Sequence, residues 1–143
     1  MRRYENYALG KWIKGDGQGT PLYNAINGNE IGTASSKGLD FSEMMKYARK
    51  IGGPALRKMT FQERGLMLKK LALHLHSIKG KFYPASFQTG ATKIDSWIDI
   101  EGGIGNLFTN ASLRRQFPDL PYHIDGDMAP LSKNGTFIGH HIM

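Results

Sequence analysis

Apolar residues recur at helical spacing through the middle of the chain and alternate with polar ones toward both ends. The clearest block follows Thr60. Thr60 and Glu63 make a T-x-x-E capping box, and Leu68, Leu71, Ala72, Leu75 and Ile78 then line one face. Lys69, Lys70 and Lys79 fall mostly off that face. An earlier helix starts at Asp40, with Glu43 in capping position and Phe41, Met44, Met45 and Ala48 as its stripe. Gly52-Gly53-Pro54 interrupts it, and Ala55 to Met59 reads as a further turn. A shorter helix covers 81–88, with Pro84 in its first turn and Gly90 as a left-handed C-cap. The last helix, capped by Asp95 or Ser96, carries Trp97, Ile98, Ile104, Leu107, Phe108 and Ala111 and ends near Arg115.

The flanks read as β. Leu9, Trp12 and Ile13 open a short strand, and Gly15 to Pro21 is turn material. Leu22 to Ile26 and Glu30 to Ala34 follow as strands joined at Asn27-Gly28. After the loop Phe117 to Pro121, the tail reads as two strands around Asn134-Gly135. The expected fold class is mainly α with small antiparallel β segments, the two β regions pairing into a small sheet.

Composition narrows the chemistry. The 143 residues suffice for one domain with a core. No cysteine is present, so within these residues there is no disulfide, no cysteine zinc site and no thiolate nucleophile. The net charge of +7 raises nucleic acid as a partner. Yet the basic residues are scattered, and their densest run, Lys46 to Arg64, is broken by Gly52, Gly53 and Pro54. A solvated basic helix face accounts for them better. A stand-alone basic helical module, binding another protein or nucleic acid, is the alternative reading. No apolar run nears the ~20 residues of a membrane span, and the opening MRRYENYALGKW lacks an apolar signal core. A cytoplasmic setting with no membrane partner is expected.

Motif tests are mostly negative. Gly103-Ile104-Gly105-Asn106-Leu107-Phe108 approaches a dinucleotide fingerprint, but Phe108 replaces the third small residue and the run lies inside a helix. Gly15, Gly17 and Gly19 lack a strand-to-helix context. His74 and His76 are two apart on a helix and diverge; His140 and His141 alternate across a strand. Asp95 and Asp99 share a helix face, as first-turn acids do. Asp125-Gly126-Asp127 lacks the remaining ligands of a calcium loop. No catalytic or metal-binding constellation emerges from spacing.

One cost stays unexplained. Gly102, Gly103 and Gly105 sit inside the last helix, where each costs roughly 0.5–1 kcal/mol against alanine. They belong to a stretch that resembles a known family. Asn27-Gly28, Glu30-Ile31-Gly32 and a helix ending in Tyr47-Ala48-Arg49 resemble the opening of the aldehyde dehydrogenase superfamily. Arg64, Leu68, Ala72 and Leu75 match its R-x-x-x-L-x-x-x-A-x-x-L helix. Thr89-Gly90 matches its (T/N)-G-K element, with Ala91 in place of lysine, and Ile124 to Asp127 resembles the segment entering its oligomerisation strands. Gly53 to Arg57, Met59-Thr60-Phe61, Glu63-Arg64, Gln88 to Thr92, Asp95-Ser96-Trp97 and Asp99 to Gly105 resemble one branch more closely. That branch is the bifunctional ring-opening enzymes of bacterial phenylacetate degradation.

The resemblance implies one incomplete α/β domain over 1–143, the N-terminal part of the aldehyde dehydrogenase fold. Residues 10–35 would form its β-hairpin region, 40–115 its helices, and 122–143 strands of the oligomerisation arm. It implies a parent oxidoreductase of aromatic catabolism that oxidises a CoA-linked semialdehyde with NADP and forms a homo-oligomer. The family's cysteine, general base and cofactor strands have no counterpart in these residues, so the chain itself is expected to be an inactive fragment holding no cofactor. By the same resemblance Ile98, Gly102 and Gly105 would line the substrate tunnel, the glycines either widening it or admitting a neighbouring helix.

Overall fold

A computed structural model describes residues 2–143. The order is β1 (Asn6–Ala8), β2 (Lys11–Ile13), β3 (Thr20–Tyr23), β4 (Glu30–Ala34), α1 (Phe41–Tyr47), α2 (Gly53–Lys58), α3 (Phe61–Ile78), α4 (Tyr83–Phe87), α5 (Lys93–Ser112), β5 (Ile124–Pro130) and β6 (Ile138–Ile142). The chain is mainly helical with small antiparallel strand pairs.

The core is the seam between α3 and α5. Its buried residues are mostly small: Gly65 and Ala72 on α3, and Ser96, Ile104 and Ala111 on α5. A Cβ built on Gly65 would lie 2.6 Å from Arg114 Cβ and 2.9 Å from the Ala111 carbonyl oxygen. Only glycine lets the two backbones approach that closely. The start of α3 therefore meets the end of α5, while Lys79, just past α3, reaches back to Glu101 in mid-α5. The helices run antiparallel.

Polar contacts fix the seam's far end. Gln62 Nε2 donates to the carbonyls of Arg114 (2.7 Å) and Phe117 (3.1 Å). The Phe61 N–H, which has no partner within its helix, donates to Leu120 O at 3.0 Å. Phe61 stacks on Phe117 with ring centroids 4.7 Å apart. The Thr60–Glu63 capping box forms as the sequence reads.

Several expectations are corrected. The β regions do not join: among the described residues the strands form three two-stranded ribbons, β1–β2, β3–β4 and β5–β6, with one isolated parallel bridge from Arg3 to Thr33 of β4. A strand β1 precedes the one foreseen, and Leu9 lies in the intervening turn with φ 54. Leu9-Gly10 supplies the two positive φ values that a two-residue hairpin turn demands. Ala25 and Ile26 leave the strand for the loop, where the Ala25 N–H donates to Gln88 O at 2.8 Å. Gly52-Gly53-Pro54 does not break the helix. A π-helical segment, Ala48–Gly52, carries α1 into α2, and Pro54 sits in the first turn of α2 where its missing N–H costs nothing. Leu71 is 45% exposed, because Gly65, Ala72 and their neighbours centre the buried stripe away from it. Phe41 and Met45 are a helical stripe with nothing against it, 60% and 55% exposed.

That exposure is general. A folded monomer of 16.0 kDa is expected to present roughly 7,400 Å2; this chain presents 10772 Å2. The helical run from α1 through α2 and the β5–β6 ribbon with its connecting loop carry much of the uncovered apolar surface, Ile51, Leu56, Met128, Phe137, Ile138 and Ile142 among it. An isolated two-stranded ribbon is marginally stable in water.

Gly65→Ala is expected to lower stability by about 1–2 kcal/mol, overpacking outweighing the gain in helix propensity; the urea midpoint reads it, and an unchanged midpoint would refute the close seam. Sedimentation velocity of the isolated chain is expected to show self-association, since the surplus surface exceeds one side of a standard interface; a single monomeric species would contradict it.

Candidate functional site

Helix α5 carries the residues the sequence singles out, and its start differs from the expectation. Neither Asp95 nor Ser96 is the N-cap; Thr92 is. The Asp95 N–H donates to Thr92 Oγ1 at 3.2 Å, while Asp95 Oδ2 accepts from Thr92 N (3.2 Å) and Thr92 Oγ1 (2.6 Å). Asp95 is thus the third helical residue of a reciprocal box, which its acidic type suits. The hydrogen bond from the Thr92 hydroxyl, then that from its backbone N–H, holds the Asp95 carboxyl below the ordinary aspartate value. Ser96 is fully buried and accepts a hydrogen bond from Ser86 Oγ at 2.9 Å, which ties α4 to α5. The C-cap of α4 is Gln88, still in helical conformation, and not Gly90; Gly90 is left-handed at φ 87 in the turn that follows.

The buried side of α5 also holds a polar cluster that spacing alone did not reveal. Lys79 Nζ donates to Glu101 Oε1 at 2.8 Å, and Tyr83 OH donates to the same oxygen at 3.3 Å. The Lys79 hydrogen bond holds the Glu101 carboxyl below the usual glutamate value. Burial, reinforced by the Glu101 charge, pushes the Tyr83 hydroxyl up. Lys79 and Glu101 lie 22 residues apart in sequence. Only the antiparallel turn between α3 and α5 joins them, so no local pattern marks the pair.

Ile98, Gly102 and Gly105 come to one stripe of α5 at the i, i+4, i+7 spacing. That stripe faces outward. Ile98 is 55% exposed, and a Cβ at Gly102, Gly103 or Gly105 would meet nothing within 4 Å. No helix among the described residues uses the room these glycines leave. Beside the stripe, Tyr83, Lys93, Ile94 and Trp97 line an open groove of about 230 Å3 between α4 and the first turns of α5.

Among the described residues no three of His, Asp and Glu gather into a metal-ion site. His74 and His76 stand exposed on α3, and His76 lies 3.4 Å from Lys79 Nζ. His141 Nδ1 approaches Asp125 Oδ2 at 3.4 Å across the β5–β6 ribbon, both well exposed. No helix of the described residues is long and apolar enough to cross a membrane.

No family model matches the chain. It is 30% identical over 139 residues to 3,4-dehydroadipyl-CoA semialdehyde dehydrogenase of Aromatoleum evansii. The match covers 96% of this chain and 27% of that protein, so the chain spans about a quarter of its relative's length. Nearly the whole chain is therefore similar to part of a CoA-linked semialdehyde dehydrogenase.

Gly102→Ala is expected to stabilise the isolated chain by about 0.5–1 kcal/mol, because nothing opposes the new methyl group and alanine is the better helix former; a lower urea midpoint would show that something fills the space. Glu101 contributes stability that is complete above the unfolded value near 4.5 and is lost as pH falls through the lower folded value. Glu101→Gln is expected to lower stability at pH 7 and to flatten its decline below pH 4.5; parallel urea-midpoint profiles for the variant and the parent chain would deny the pair its role.

Proposed function

We propose that these residues form the opening scaffold of a dehydrogenase that oxidises a CoA-linked semialdehyde of aromatic catabolism with NADP. The observation that carries the reading is the match of nearly the entire chain to a CoA-semialdehyde dehydrogenase. The D-S-W and D-I-E-G-G-I-G strings of α5, which resemble the phenylacetate ring-opening enzymes, support the aromatic pathway; NADP as the oxidant is what that resemblance implies for the parent.

Aldehyde oxidation of this class proceeds through a thiohemiacetal, formed when a thiolate attacks the carbonyl carbon. These residues contain no cysteine. Their role in this reading is to shape access and assembly. The stripe Ile98, Gly102 and Gly105 lines the approach of the substrate, the missing side chains leaving width for an acyl group trailing CoA. Its exposure and empty surroundings agree with that role. The β5–β6 ribbon, exposed along both strands, serves homo-oligomer assembly in the parent enzyme, its free edge offering unpaired backbone groups to a further strand. A cytoplasmic location belongs to the same reading.

In the full-length enzyme, Gly102→Leu is expected to depress kcat/KM for the CoA-linked semialdehyde at least tenfold more than for a short free aldehyde; equal losses would favour a packing role for the glycine. The purified 143-residue chain, given NADP and semialdehyde, is expected to yield no absorbance of reduced cofactor, and turnover would overturn the scaffold reading.

A further inference from the structure

We propose that Asn134 is a site of spontaneous covalent modification, converting through a succinimide to aspartate and isoaspartate, while the fold holds the equivalent Asn27 unreactive. Asn-Gly occurs twice in the chain, at Asn27-Gly28 and Asn134-Gly135. Glycine after asparagine puts no side chain in the way of its own backbone nitrogen. That nitrogen, giving its proton to hydroxide, attacks the asparagine Cγ. The N–Cγ bond forms, the Cγ–Nδ2 bond breaks, and ammonia leaves with a proton taken from water. Water then opens the succinimide at either carbonyl, leaving aspartate or isoaspartate. Water and base are the only co-reactants.

Access does not separate the two sites. Both asparagines are exposed, both glycines are left-handed (φ 71 and 65), and a Cβ on either glycine would meet nothing within 4 Å. Restraint does separate them, because the attack needs the amide to swing over and the turn to loosen. Asn27 Oδ1 accepts from the Asn29 N–H at 3.0 Å, and the Gly28 N–H donates to Asn24 O at 2.8 Å. The same loop is fastened to the end of α4 by the Ala25 N–H on Gln88 O. In the other turn Ser132 makes the side-chain bonds: its Oγ accepts from the N–H groups of Thr136 (2.9 Å) and Phe137 (3.2 Å). Among the described residues no hydrogen bond holds the Asn134 side chain. The Gly135 N–H donates to Ser132 O at 3.1 Å, a bond internal to the turn. Strands β5 and β6 pair only with each other, and such a ribbon opens at little cost. Opening frees Asn134, whereas freeing Asn27 means detaching its loop from α4. Isoaspartate then routes the backbone through an extra methylene, so the turn no longer sets the β5–β6 register. The assignment is independent of any dehydrogenase activity.

The 143-residue chain is incubated at neutral and mildly alkaline pH, and each site is followed by peptide mass spectrometry and by isoaspartyl methyltransferase labelling. Residue 134 is expected to convert roughly tenfold or more faster than residue 27, and faster as pH rises. Both aspartate and isoaspartate are expected there. Asn134→Gln is expected to remove most of the isoaspartate, since the longer side chain must close a larger ring; Asn27→Gln is expected to leave the yield unchanged. In guanidinium chloride the two rates are expected to converge. Equal rates in the folded chain, or faster conversion at residue 27, would overturn the proposal. A difference that persists in denaturant would overturn it too, since flanking sequence and not the fold would then set the rates. Aspartate formed without isoaspartate would overturn the succinimide route.

Discussion

Two helices in this chain touch because one residue has no side chain. Gly65 lets the start of α3 lie against Ala111 and Arg114 at the end of α5, and Ala72, Ser96 and Ile104 continue the seam. Helix α4 and the loop after α5 are tied to it. The loop after α5 folds back over the start of α3 through Gln62, Phe61 and Leu120. The other end is held by Lys79 and Tyr83 on Glu101, and α4 is fixed to the same helix through Ser86 and Ser96. A seam of small residues brings backbones close and buries little apolar area per residue. The chain gains geometry from it more than hydrophobic stability.

Helix α5 consequently has two jobs on two faces. Its inner face binds α3 and α4. Its outer face bears Ile98, Gly102 and Gly105 in the open, with Trp97 and Ile94 beside them. Because the inner face fixes the helix, the outer face is presented in a defined direction without any contact of its own. The uncovered apolar stripes of α1 and the β5–β6 ribbon fit the same logic. They are surfaces suited to further protein, which agrees with a relative of which this chain matches 27%.

Local chemistry was legible in the sequence, and distance was not. The Thr60–Glu63 box, the α3 helix, the left-handed turn at Gly90 and the strands about Asn134-Gly135 follow from residues within a few positions of one another. Thr92 was missed as a cap because Asp95 and Ser96 are also good caps. The reciprocal hydrogen bonds decide among them, and Ser96 is withdrawn into the core. Helical spacing identifies an apolar stripe but does not say what covers it, and Phe41 and Met45 on that stripe are exposed. The Lys79–Glu101–Tyr83 cluster depends on the path of the chain between helices, which no periodicity encodes. Separate ribbons in place of one sheet arise likewise, since alternation specifies strands and not their partners.

Hydrogen–deuterium exchange of the isolated chain, resolved by segment, tests the seam most directly. Amides of α3 and α5 around Gly65, Ala72, Ile104 and Ala111 are expected to exchange slowest, with α1, α2 and the β5–β6 ribbon close to unprotected. Protection of the ribbon or of α1–α2 equal to that of the seam would contradict a fold held by one helix pair.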